Sequence, residues 1–338
     1  MKMMYKIFTI CSLALLSSLI ASAQQLGYSQ YFINLPSENP GFTGIDDFLD
    51  FKVGSRQGWN DFSESNSSMF VSAFGMLNKP LKQIVKNNAL RISDNSLFDK
   101  IRTNKKIRRK HGLGGLIKST TLGPYKTTAI NLNYAYHLPV SKEFTWSFGA
   151  KTGVDFERVD FTNFKVRDEV NDTFYRELLN SNEGRRNSLI TDFGTVLYGK
   201  DFYIGISTFN MVTTSINSDD LLDKTRLPRY QFQAGKAINI NEEISLNFGG
   251  QAFYSDGYDP FWGVNARVKF KGIIYLGVGY ENKTKMSVLG GLISEGKFSL
   301  HYAYNNYLSE LSSFDVNSHE IILGVFIFNK YALNSKFW

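Results

Sequence analysis

The sequence predicts an all-β chain folded as a transmembrane antiparallel β-barrel of about fourteen strands, within a range of roughly twelve to sixteen. Three observations carry that reading. Large apolar residues alternate with small polar ones at period 2 along most of the chain. Aromatics are abundant, with 28 Phe, 18 Tyr and 4 Trp beside 28 Gly and only 7 Pro. The N-terminus reads as an export leader, and no later stretch has the roughly 18 consecutive apolar residues that a spanning helix needs. A closed barrel, in which every backbone group is paired and no strand edge is left, is the remaining way to cross a bilayer.

The leader covers residues 1–23. Lys2 and Lys6 precede an apolar run from Ile7 to Ile20, and Ala21-Ser22-Ala23 supplies small residues at a cleavage site before Gln24. Cys11, the one cysteine, lies inside the leader. A mature exported chain without cysteine uses neither disulfides nor thiolate metal ligands, which points to a bacterial envelope and, with a barrel, to the outer membrane. Residues 24–46 show no alternation and contain Pro36 and Pro40. This segment is expected to enter or cap the barrel lumen from the periplasmic side. The barrel itself is expected over 47–329, interrupted by a basic insertion at 78–110 and followed by a tail at 330–338.

Strand-like runs lie near 47–57, 67–77, 111–120, 125–138, 142–157, 187–199, 202–212, 228–239, 242–254, 261–271, 272–281, 284–294, 296–306 and 317–328. In one, Ile130, Leu132, Tyr134, Tyr136 and Leu138 alternate with Asn131, Asn133, Ala135 and His137. In another, Phe298, Leu300, Tyr302 and Tyr304 alternate with Ser299, His301, Ala303 and Asn305. A soluble sandwich or propeller also alternates. The composition of the polar face favours the barrel, because Gly, Ser, Asn and Ala suit a crowded lumen whereas a wetted sheet carries Lys and Glu. Short connections such as Gly199-Lys200-Asp201 and Ser294-Glu295-Gly296 belong on the periplasmic side, and the longer polar ones at 158–186, 213–227 and 307–316 outside.

The insertion breaks that rule by being long on the periplasmic side. It holds eleven Lys or Arg against Asp94 and Asp99, so the net charge of +7 is a local property. Leu81 to Leu90, after Pro80, is expected to form a helix. Lys79, Lys82, Lys86, Lys105, Lys106, Arg108, Arg109 and Lys110 are the candidate docking residues, for an acidic protein partner or an anionic leaflet; a merely solvated loop is the alternative. Nucleic acid is not an expected partner outside the cytoplasm.

Catalytic and cofactor chemistry is not indicated, and no catalytic, cofactor or metal residues are assigned. No phosphate loop, HExxH site or G-x-S-x-G elbow occurs. Gly112 to Gly115 opens a strand rather than a helix, so it reads as close backbone packing in a barrel wall. His111, His137, His301 and His319 lack ligand spacing, and the acid pairs Asp46-Asp47 and Asp219-Asp220 read as solvated. In a closed barrel the first and last strands meet. Arg56 and Glu320 then share the inward face, and a salt bridge or common hydrogen-bond network is expected there, with Ile321, Leu323, Val325 and Ile327 toward lipid.

Several short motifs occur in an order that resembles the PorP/SprF family of outer-membrane proteins. Tyr28-Ser29-Gln30-Tyr31 and Asn39-Pro40-Gly41-Phe42-Thr43-Gly44 resemble its SQ-aromatic and NPAxxG pattern, with Gly41 where Ala is usual. Arg56-Gln57-Gly58-Trp59 is similar to its R-x-Q-W element with altered spacing. His111-Gly112-Leu113-Gly114-Gly115, Asn133-Tyr134-Ala135-Tyr136, Phe148 to Gly153 and the closing Ser318-His319-Glu320-Ile321 follow in family order. The resemblance implies a non-enzymatic barrel of type IX secretion and gliding motility. SprF-like members of that family are linked to export or attachment of surface adhesins through the adhesin's C-terminal domain, and PorP-like members to the periplasmic secretion apparatus. The SprF-like role is the expectation taken forward, with the PorP-like role and an outer-membrane diffusion pore as alternatives.

Overall fold

A computed structural model describes residues 27–59, 66–77, 109–159, 184–218, 226–282, 285–294, 296–308, 317–329 and 335–337. The leader at 1–23 lies outside the described residues, as do the helix expected from Leu81 to Leu90 and the acid pair Asp219-Asp220.

The strands are β1 (Leu49–Trp59), β2 (Asn66–Met76), β3 (Lys110–Leu122), β4 (Tyr125–Pro139), β5 (Thr145–Val159), β6 (Arg185–Tyr198), β7 (Phe202–Phe209) and β8 (Val212–Ser218). They continue as β9 (Arg229–Asn239), β10 (Ile244–Ser255), β11 (Phe261–Phe270), β12 (Ile274–Glu281), β13 (Lys285–Ser294), β14 (Phe298–Tyr307) and β15 (Asn317–Ile327). Each pairs antiparallel with its neighbours, and β1 pairs with β15 from Leu49↔Ile327 to Trp59↔Asn317, which closes the sheet on itself.

The ring has fourteen strands, because β7 and β8 are successive lengths of one strand along β6. The interruption falls at Asn210, whose φ of 57° is a conformation that asparagine tolerates better than most residues. Side chains bridge the gap. Thr208 Oγ1 accepts from Phe193 N at 3.0 Å, and Asp192 Oδ1 accepts from Met211 N at 3.3 Å. The strand expected over 202–212 therefore breaks and resumes, and the connection expected to begin at 213 is strand up to Ser218. Its alternation is lost at the break, which hid the second half from a period-2 reading.

Burial separates a membrane barrel from a water-soluble sandwich. Along β13, Lys285 and Ser287 are 1% and 4% exposed while Met286 and Val288 are 54% and 60% exposed. Polar side chains inside and apolar ones outside suit hydrocarbon around the sheet and a polar filling within it. The lumen accommodates charge as ion pairs, with Lys151 Nζ 2.9 Å from Asp192, Lys285 Nζ 3.1 Å from Glu281, and Lys52 paired with Asp50. Outside, Leu132 stands at the middle of β4 in the apolar belt, 64% exposed. Leu132→Arg is expected to cost about 2–4 kcal/mol, the range for a cation at the bilayer midplane. Urea unfolding in lipid vesicles measures it, and a cost near zero would place Leu132 outside the hydrocarbon.

The two ends differ. Tight turns join β4 to β5, β6 to β7, β9 to β10, β11 to β12 and β13 to β14, closed by bonds such as Gly199 N to Phe202 O at 3.0 Å. This turn-bearing end reads as periplasmic, apart from the long connection between β2 and β3. The end bearing the long β5–β6 and β14–β15 connections reads as external.

Candidate functional site

The distinctive site is the lumen, which is filled by the chain preceding β1. Prolines and glycines prevent residues 27–48 from forming a strand. They form instead a 3₁₀ turn at Tyr31–Asn34, a four-residue helix α1 (Leu35–Glu38) with Pro36 in its first turn, and a second 3₁₀ turn at Pro40–Phe42. Asn39 starts that second turn, its Oδ1 accepting from Gly41 N at 2.9 Å.

This strap runs the length of the barrel. At the external end the Gly27 carbonyl accepts from Arg56 Nη1 at 2.9 Å and from Lys285 Nζ at 3.3 Å. Tyr28 Oη donates to the Ser68 carbonyl at 2.8 Å, and Ser29 N donates to both Glu320 carboxylate oxygens at 3.0 and 3.1 Å. Deeper in, Tyr275 Oη donates to Gln30 Oε1 at 2.8 Å and Asn265 Nδ2 to Tyr31 Oη at 3.0 Å. Toward the periplasmic end the strap's carbonyls take over. Pro36 O accepts from Asn133, Glu38 O from Ser207, Gly41 O from Ser147 and Thr43 O from His137, at 2.6 to 3.1 Å. A carbonyl can only accept, so His137 carries its proton on Nε2, while Nδ1 lies 3.0 Å from Tyr198 Oη.

Gly27 sits at the external end, and the strap descends toward the periplasmic end, where β1 begins.

Glycines on the inner face let the strap approach the wall backbone directly. A Cβ on Gly112 would lie 1.9 Å from the Thr43 carbonyl oxygen, one on Gly149 2.3 Å from the Pro40 carbonyl carbon, and one on Gly194 2.1 Å from Asn39 Oδ1. Gly44, at φ +72°, faces Gly112 with 2.4 Å between its notional Cβ and the Gly112 Cα. The structure therefore sets Gly44 against Gly112, and Asn39 and Pro40 against Gly149 and Gly194. Gly114 and Gly115 lie elsewhere, against Phe74 of β2 and the Asn131 carbonyl of β4. Gly149 and Gly194 were not singled out from sequence as site residues. The available signal was a glycine at an inward position between outward aromatics, as in Phe148-Gly149 and Phe193-Gly194.

At the seam, Arg56 stands directly opposite Glu320, both almost fully buried. Among the described residues no ion pair links them. The Arg56 guanidinium donates to Gly27 O and Tyr307 Oη, and Asn305 Nδ2 donates to Glu320 Oε1 at 2.9 Å and Ser318 Oγ at 3.1 Å. Tyr307 Oη lies 3.4 Å from Ser318 Oγ, so a shared network connects the two charges. His319 points outward to Tyr302 at 2.7 Å, and Trp59 ends β1 opposite Asn317.

Of the candidate docking residues, Lys79, Lys82, Lys86, Lys105, Lys106 and Arg108 lie outside the described residues. Arg109 is exposed at the foot of β3, and Lys110 pairs with Asp47 at 2.6 Å. Asp46 is also engaged, accepting from Ser335 Oγ at 2.6 Å and Lys336 N at 3.0 Å. Burial pushes its carboxyl above the ordinary carboxylate range, against the opposing pull of those two bonds. Neither acid of the Asp46-Asp47 pair is thus simply solvated. Among the described residues no cluster of metal-ligating side chains occurs.

Comparison with known proteins gives one family. The model of the family described as Type IX secretion system membrane protein PorP/SprF matches residues 20–325. No curated protein matches the sequence. Among solved structures, similar ones include the outer membrane protein Omp33 of Acinetobacter baumannii, at 8% identity and TM-score 0.46, covering 84% of this chain and 100% of that one. The CymD monoaromatic hydrocarbon channel shows 11% identity and TM-score 0.46 over 90% and 93% of the two chains. The Pseudomonas putida toluene transporter TodX shows 11% identity and TM-score 0.43 over 90% and 94%.

Proposed function

The chain belongs to the Type IX secretion system membrane protein PorP/SprF family, and we propose that within that machinery it binds cargo rather than conducts it. The partner is an exported cell-surface adhesin, held by its C-terminal domain and thereby secreted or anchored in gliding cells. One observation carries this reading above all. The lumen is occupied by the chain's own residues 27–48, bonded to wall residues on β1, β2, β4 to β7 and β11 to β15, and Gln30, Asn39, Phe42 and Thr43 are all 0% exposed. A cavity beneath the strap holds about 30 Å³, room for a water or two and not for a polypeptide. A barrel filled in this way offers its partners its rims and outer wall.

A PorP-like role, docking the periplasmic apparatus, is the second reading. The basic connection between β2 and β3 at the turn-bearing end favours it, since eleven cations at one rim suit an acidic partner. Affinity purification of the tagged protein from its own outer membrane, in mild detergent with mass spectrometry, separates the two. Recovery of a very large surface protein bound by its C-terminal domain supports the adhesin role. Periplasmic ring components alone would move the protein to the second role. Steady ion conductance of the purified barrel in planar bilayers would overturn the binding reading in favour of a pore.

A further inference from the structure

The last described residues do not trail away from the barrel. Chain leaving β15 reaches Ser335–Phe337 against Tyr198 and Tyr203, at the turn between β6 and β7, six strands round the ring. Ser335–Phe337 thus lie at the periplasmic mouth, across the ring from β15. The Phe337 ring, 9% exposed, lies 5.0 Å from Tyr203, 6.1 Å from Tyr198 and 6.3 Å from Phe42 of the strap, centroid to centroid. The Lys336 ammonium sits 4.3 Å over the Tyr198 ring. Asp46, at the foot of the strap, takes hydrogen bonds from Ser335 and Lys336. The tail therefore touches wall and strap together, and it covers the cavity lined by Ile33, Leu35, Ile45 and Phe74.

The two halves of the strap are held differently. The external half is fixed by buried charged side chains, Arg56, Lys285 and Glu320, each of which would lose a hydrogen bond if that half moved. The periplasmic half presents mostly backbone carbonyls to neutral donors, and its last residues before β1 meet the tail. We propose that Ser335–Phe337 is a latch on the strap: seated, it holds the periplasmic half in the lumen, and withdrawn, it frees that half while the external half stays in place. A factor that takes up Ser335–Phe337 in the periplasm would then open the barrel from below.

Cys11, in the expected leader, is the one cysteine of the sequence, so single reporters are clean. Ile45→Cys lies under the latch and Ser29→Cys at the fixed end. Each is made in the full-length barrel with the native tail, with Phe337→Ala and with Phe337→Leu, and reacted with a membrane-impermeant maleimide after folding is checked by heat-modifiable migration. Phe337→Ala should speed labelling at Ile45→Cys by about tenfold or more through local opening. Phe337→Leu should restore most of the protection, and Ser29→Cys should not change. Asp46→Ala removes both hydrogen bonds and leaves the aromatic seat; it should give an intermediate rate and decides the matter if Phe337→Ala does not fold. Unchanged labelling at Ile45→Cys, or equal acceleration at both reporters, would overturn the latch.

Discussion

Gly112→Val is expected to open the lumen of a barrel that still folds. The added Cβ would lie 1.9 Å from the Thr43 carbonyl oxygen, 2.5 Å from the carbonyl carbon and 2.9 Å from the Gly44 Cα, all backbone, so no side-chain rotation relieves the clash. Either β3 or the strap must give way. β3 is bonded to β2 through eleven register pairs and to β4 through thirteen, whereas the strap meets it only here, at Lys110 through Asp47 and at Lys118 over the Tyr28 ring. Overpacking of this kind costs roughly 1–3 kcal/mol even where neighbours are mobile. The strap should therefore leave its seat, taking Asn39, Pro40 and Phe42 off the inner wall. Conductance steps in planar bilayers and sensitivity of cells to large antibiotics are the expected readouts. Gly250→Ala is the control, since its Cβ would meet nothing closer than 3.8 Å. A Gly112→Val barrel as closed as the native one would show that this contact does not hold the strap.

How much of this was legible in the sequence follows from which forces act locally. Wall strands such as β4 and β13 each show one face to lipid and one to the lumen, so period 2 located them and their total. Closure followed from the even number and from the demand that no edge remain. Paths set by contacts distant in sequence were not legible. Nothing local to Gly27 or Ser29 specifies the external end; Arg56, Lys285 and Glu320 fix it, and they lie tens to hundreds of residues away. Similarly, nothing local to Phe337 specifies its seat, which Phe42, Tyr198 and Tyr203 form from distant parts of the chain. The family motifs were recognisable as strings, but their reason is tertiary. Asn39-Pro40 and Gly44 sit against Gly149, Gly194 and Gly112, so the strings go together because the strap reaches the wall backbone there with no wall side chain between them.

Glu320→Ala is expected to destabilise the barrel more than any single change on the lipid face. The carboxylate is 0% exposed and accepts from Ser29 N twice and from Asn305 Nδ2. Its removal leaves the Ser29 N–H without an acceptor and takes away the carboxylate opposite the buried Arg56 guanidinium, a loss of about 3–5 kcal/mol. Glu320→Gln keeps an acceptor for one of these donors, and a smaller loss of roughly 1–3 kcal/mol is expected. Arg56→Ala should resemble Glu320→Ala, and the double variant should cost less than the sum, because no uncompensated charge then remains. Urea midpoints in lipid vesicles measure all four; strict additivity would mean that the two charges do not act through one network. The strap enters this argument as a third party. Arg56 lies on the first strand and Glu320 on the last, and each reaches the strap's backbone, at Gly27 and Ser29, rather than its cross-strand partner. The residues ahead of β1 thus bridge the two strands that close the ring, so loss of Gly27 to Ser29 should weaken the seam even in a chain whose fourteen strands are intact.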